Sequence, residues 1–209
     1  MAESHNTEAV SLVFDKLKQH PWNAPAAEKG SWKVFLFKRI VHLSESLYVL
    51  EGHQCLESIP LIFRALFEAQ VDLFLILQDE NYCRLLEYQE LKGMLKIQTD
   101  PELLSYGIKK VQGSTIKKNK IRVRELEEDY SEHVKGFNFQ RKLETAFRDT
   151  ENSWESLYVN YRVMSQYVHG IAYAPEDLRK ISKTCFDLLP VLLDSVLEKV
   201  DLKNSLHNS

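Results

Sequence analysis

The sequence predicts an all-α protein, a multi-helix up-and-down bundle, and three observations carry that expectation. Only 7 Gly and 6 Pro occur in 209 residues, whereas an all-β chain needs turn residues every ~8–12 positions. Long stretches repeat apolar side chains at the i, i+3, i+4 spacing of one helix face. Ser, Pro and Gly fall at the ends of those stretches, where helix caps and stops belong. Hydrophobic residues make up 44% and charged residues 27%, enough apolar material for a buried core. A single helical domain over 1–209 is expected, with its core at about 31–200 and an inserted charged helical and loop excursion at about 107–135.

Residues 6–20 place Val10, Val13, Phe14 and Leu17 at helical spacing. Pro21 and Pro25 break the pattern, and 21–30 is expected as a loop ending in Gly30. Ser31 is then an N-cap for a helix from Trp32 to Glu51, with Gly52 as its stop. The next helix, from Gln54 or Ser58 to Gln78, is the most apolar in the chain, and Pro60 fits its first turn if Ser58 caps it. A rod apolar nearly all round is the central element of a bundle. Asn81–Thr99 follows as helix, and Asp100 and Pro101 read as N-cap and first residue of a shorter one.

Residues 109–124 hold Lys109, Lys110, Lys117, Lys118, Lys120, Arg122 and Arg124 with no acidic residue, interrupted by Gly113, Ser114 and Thr115. Glu125, Glu127, Glu128, Asp129 and Glu132 follow. Two readings stand: a solvated excursion that neutralises itself, or a patch for an anionic partner. Phe137–Glu151 is expected as helix, then Trp154–His169 capped by Ser153 and stopped by Gly170. A last helix from Pro175 to about Val200 begins with Glu176 and Asp177 at the positive end of its dipole and is expected to kink at Pro190. The tail after it is expected to fray.

A net charge of −3 means that any nucleic-acid contact must come from a local patch. Cys55, Cys83 and Cys185 are widely spaced and odd in number, so neither a disulfide framework nor a zinc site is expected. No metal or other cofactor is expected, since phosphate-loop, dinucleotide, HExxH, EF-hand and nucleophile-elbow patterns are absent. The segment MAESHNTEAV has no basic or apolar signal region, and the apolar stretch Ile59–Leu77 carries Arg64, Glu68, Gln70 and Asp72. A cytoplasmic protein without a membrane partner is expected.

Two helices carry the candidate chemistry. Arg64, Glu68 and Asp72 are spaced four apart, so they form a polar stripe on the apolar rod. Buried charges must be paired or touch a cavity. The stripe is therefore either an internal Arg64–Glu68 ion pair closing one side of the core or the lining of a cleft. On the later helix, Arg162, Ser165, Gln166 and His169 fall at i, i+3, i+4 and i+7, nearly two turns, so Arg162 and His169 share a face. His169 at a helix end reads either as a capping imidazole or as a ligand-facing one.

Arg162-Val-Met-Ser-Gln-Tyr-Val-His169 resembles the Arg-x4-6-His motif of the HEPN superfamily. The chain is also similar to an uncharacterised bacterial helical family with an Arg-x-x-x-Glu helix, here Arg64 to Glu68, and a later Ser-x-x-x-His, here Ser165 to His169. The resemblance implies a helical bundle that forms a homodimer with its motif helices facing each other. It implies a metal-independent ribonuclease or an RNA-binding protein of a bacterial defence or toxin–antitoxin type. An antitoxin or other protein would then be a partner beside RNA. In that case His169 is the general acid or base, Arg162 holds the phosphate, and Ser165 orients the imidazole or contacts phosphate. Arg64 and Glu68 support them, and Lys117, Lys118, Lys120 and Arg122 guide the RNA backbone. Val163 replaces the polar residue that often follows the motif arginine. The alternative is a non-catalytic helical interaction or dimerisation module, in which Arg64, Glu68 and His169 are structural.

Overall fold

A computed structural model describes residues 12–25, 27, 31–100, 113–129, 138–148, 154–168 and 174–207. Among the described residues the protein is all-α, with eight α-helices, two short 3-10 turns and no strand. The helices are α1 (12–19), α2 (Trp32–Gly52), α3 (Ile59–Gln78), α4 (Tyr82–Thr99), α5 (Gly113–Asp129), α6 (Phe139–Ala146), α7 (Trp154–Val168) and α8 (Pro175–His207). The chain falls into two compact units, Met1–Gln78 with Gln140–Ser209, and Asp79–Phe139. The charged excursion lies in the second.

In the first unit, α3 is the central rod. Thirteen of its twenty residues are buried, and it packs against α2, α7 and α8. Phe63, Phe67 and Phe74 are almost fully buried, and side chains of this size each contribute roughly 1.5–3 kcal/mol by leaving water. α2 turns Val34, Phe37, Val41 and Ser44 inward at the i, i+3, i+7, i+10 spacing of one face. α8 buries Leu178, Ser182, Cys185, Leu189, Leu192 and Val196 along one seam. Gln70, buried within α3, donates to Leu192 O at 3.1 Å and to Ser195 Oγ at 2.9 Å on α8. Phe147, just after α6, meets Phe74 at 5.4 Å between ring centroids, and Gln78 Nε2 donates to Ala146 O at 3.1 Å at the end of that helix. The 3-10 turn Pro21–Asn23 is capped by His20, whose Nδ1 accepts from Trp22 N at 3.2 Å.

The second unit is a pair of helices, α4 against α5. Its buried apolar residues are Tyr82, Leu85, Leu86 and Tyr88 on α4 and Leu126 on α5.

Several boundaries differ from the sequence expectation. Gly52 lies inside the last turn of α2, and Gln54 takes the left-handed position with φ 56°. Gln54 N donates to Glu51 O at 2.9 Å and Cys55 N to Leu50 O at 2.8 Å, the paired bonds of a Schellman ending. Ser31 has the extended backbone of an N-cap, but no side-chain cap bond. Gly113, Ser114 and Thr115 open α5 and do not interrupt it. Asp100 closes α4, its N–H bonded to Lys96 O; Pro101 lies outside the described residues. The helix expected over Phe137–Glu151 covers Phe139–Ala146, and Phe137 and 149–151 are outside the described residues. α8 continues through Pro190 to His207, beyond the expected end near Val200. No helix among the described residues is long and apolar enough to cross a membrane.

Candidate functional site

The polar stripe on α3 closes onto α7 and α6. Arg64 Nε donates to Glu68 Oε1 at 2.9 Å, one helical turn on. Arg64 Nη2 donates to Tyr161 Oη at 3.1 Å, and Tyr161 Oη donates to the same Glu68 oxygen at 2.9 Å. The guanidinium also lies over the Tyr161 ring, 5.1 Å from its centroid, which adds a cation–π attraction. The Arg64 side chain is 21% exposed and that of Glu68 40%, so the cluster sits at the rim of the helix contact. Burial opposes the Arg64 charge, but the hydrogen bond and field of Glu68 outweigh it and raise its pKa. Burial, and then the Glu68 charge, push the Tyr161 phenol up to about 12. Four residues along the stripe, Asp72 Oδ1 accepts from Lys142 Nζ of α6 at 2.9 Å. The stripe is thus paired.

Position 161, and not 162, meets Arg64. On α7, Trp154, Tyr158, Tyr161 and Ser165 recur at helical spacing on one face, and each is half-buried. Tyr158 and Tyr161 stack, with ring centroids 6.4 Å apart. Arg162 is turned about 100° from that face and is exposed beside Val159 and Gln166. Among the described residues no ion pair or hydrogen bond holds its guanidinium. Met164 is buried, with Cys185 Sγ at 3.9 Å from its sulfur. His169, named from the sequence as acid or base, lies outside the described residues. Tyr161 is the member of the cluster that motif spacing passes over; the aromatic face it shares with Trp154 and Tyr158 is the signal that points to it.

The basic helix α5 splits its cations. Arg122 forks onto Glu87 of α4, with Nε to Oε1 at 2.8 Å and Nη2 to Oε2 at 2.9 Å. Its Nη1 reaches Glu125 Oε2 at 3.3 Å. The hydrogen bond from Arg122 holds the Glu87 carboxyl below its ordinary 4.5, against a smaller opposing effect of burial. Arg122, placed with the lysines as an RNA contact on sequence grounds, is therefore a tie between α4 and α5. Lys92 Nζ donates to Tyr88 Oη at 2.7 Å, and Tyr88 Oη donates to Glu127 at 3.2 Å. Lys117, Lys118, Lys120 and Arg124 are exposed, and no ion pair holds them among the described residues. Among the described residues no group of three or more His, Cys, Asp or Glu side chains could hold a metal ion.

The model of a family of unknown function, DUF5677, matches residues 31–179, which span α2 to α7, both motif helices and the start of α8. Comparison with curated proteins and with solved structures finds no match. The match covers well over half of the 209 residues, so the chain belongs to DUF5677.

Proposed function

We propose that the protein is a HEPN-like RNA-binding protein that cleaves RNA without a metal, of the kind used in bacterial defence or as the toxin of a toxin–antitoxin pair. The observation that supports this most is the contrast between two arginines. Arg64 is engaged by Glu68 and Tyr161, whereas Arg162 stands exposed near the end of α7 with no protein acceptor among the described residues. An unengaged, planar guanidinium suits bidentate contact with a phosphate and the charge that develops on it. In this reading His169, seven residues on in the sequence, removes the proton from a ribose 2′-hydroxyl. The 2′-oxygen then attacks phosphorus, a 2′,3′-cyclic phosphate forms, and the 5′-oxygen leaves with a proton. Ser165, half-buried on α7, orients the imidazole or contacts the phosphate. Arg64 and Glu68 act through Tyr161, by fixing α7 on α3. The resemblance also makes the active form a homodimer, held in check by an antitoxin or another protein partner.

A second reading, a non-catalytic interaction module, draws on the closed Arg64–Glu68–Tyr161 cluster, which serves helix packing whether or not RNA binds. Incubation of single-stranded RNA with the protein in EDTA separates the two. The proposal expects products ending in cyclic phosphate from wild type and none from His169→Ala. Intact RNA with both proteins leaves the interaction module as the better account.

A further inference from the structure

The exposed side of α5 has a chemistry that the α7 motif does not use. The basic half, 113–124, contains five cations and no carboxylate. Within one helix, Lys117 and Lys120, Lys118 and Arg122, and Lys120 and Arg124 are like-charge pairs three or four residues apart, and each pair repels. Packing on α4 explains one of the five: Arg122 faces Glu87, on the side where Leu126 is buried. It explains none of the others. Lys117, Lys120 and Arg124 share the opposite face at i, i+3 and i+7 and are exposed, and Lys118, four residues before Arg122, is exposed at the edge of the packed side. Among the described residues no carboxylate pairs with them.

We propose that this face is a track for the phosphate backbone of single-stranded RNA, gripped by Lys117, Lys118, Lys120 and Arg124 and not by Arg122. From Lys117 to Arg124 the row runs about 10 Å along the axis, long enough to meet more than one phosphate of a strand. Residues 113–129 hold no Trp, Tyr or Phe, so the helix offers no ring for a base to stack on and contacts the backbone without regard to sequence. The same lack of aromatics, together with an apolar side turned to α4, argues against an acidic membrane surface, which takes helices with a bulky apolar face free to insert. The proposal shares its partner with the reading above but needs no chemistry at α7.

The test is binding of a fluorescent, 2′-O-methylated oligouridylate, which cannot be cut through a 2′-hydroxyl, by anisotropy between 50 and 200 mM salt. Four contacts to a single strand give a log–log salt slope of about −3 from this helix, a weakening of about 50-fold across that range. The triple variant Lys117→Gln/Lys118→Gln/Lys120→Gln is expected to lose about 2 from the magnitude of the slope, and the matching triple Lys→Arg variant to keep it. Arg122→Gln is expected to keep the slope while loosening α4 from α5. Circular dichroism establishes that each variant is folded. A wild-type slope in the triple Gln variant overturns the proposal. So does loss from Arg122→Gln equal to that from a single lysine, or binding of phosphatidylserine vesicles with none of the oligouridylate. Because the probe is uncleavable, failure of RNA cleavage and failure of this track are separate results.

Discussion

At the scale of the residue, the two arginines divide the chemistry. Arg64 was legible as half of an i, i+4 pair, because Arg64, Glu68 and Asp72 interrupt an apolar rod at a four-residue spacing. What spacing could not supply were the partners from distant sequence, Tyr161 and Lys142, which tertiary packing brings to the stripe. Removal of the Tyr161 hydroxyl in Tyr161→Phe keeps the ring over Arg64 and deletes two hydrogen bonds. It is expected to lower stability by about 1–2 kcal/mol in urea unfolding. The phenol's pKa is about 12 when folded, against an ordinary value of 10.0. Its contribution is therefore complete below pH 10 and is lost as pH rises toward 12. Tyr48, half-buried and near Glu51 and Asp15, is likewise raised to about 12. A spectrophotometric titration is thus expected to lose one late-titrating phenol on going from wild type to Tyr161→Phe. Gln54 offers a second residue-scale case. Gly52 looked like the helix stop, yet the left-handed φ falls at Gln54, because the Cys55–Leu50 bond sets the ending two residues later. Gln54→Gly relieves a non-glycine left-handed residue and is expected to raise stability by about 0.5–1 kcal/mol in the same unfolding assay.

At the scale of the element, long apolar periodicity was the reliable signal. α3 and the inward face of α2 lie where their apolar residues predict. The ends were less so, because capping is a local contest that tertiary contacts decide. Gly113-Ser-Thr115 reads as a break, but α4 gives the following residues a surface to pack on, and the three open α5. Likewise α8 passes Pro190 unbroken because Val196, Leu197 and Val200 beyond it remain buried, whereas its run from Val200 to His207 carries exposed Asp201, Leu202 and Ser205 and owes nothing to burial of those residues. The pairing of α4 with α5 rests on few apolar residues and on the Glu87–Arg122 fork, so it is sensitive to acid. The Glu87 carboxyl titrates below its ordinary 4.5 when folded. The stability it supplies is present above that pH and is lost as pH falls through the folded value. Glu87→Gln is expected to weaken this pair of helices at neutral pH and to flatten the fall in urea midpoint between pH 6 and pH 3.5.

At the scale of the whole molecule, the all-α class was plain from composition and periodicity, whereas the motif residues were legible only as residue types at a spacing. Arg162 and Tyr161 are neighbours in sequence, but a turn of about 100° sends one to solvent and the other to Arg64. That division makes the functional proposal specific to one side of α7, and it gives α3 the separate task of holding that helix. The most direct measurement compares metal-free RNA cleavage by Arg162→Ala and Arg64→Ala, each alongside its melting temperature. The account predicts that Arg162→Ala loses at least ~100-fold in rate with an unchanged melting temperature, while Arg64→Ala loses stability first. Cleavage by Arg162→Ala at the wild-type rate, or none by wild type, contradicts it.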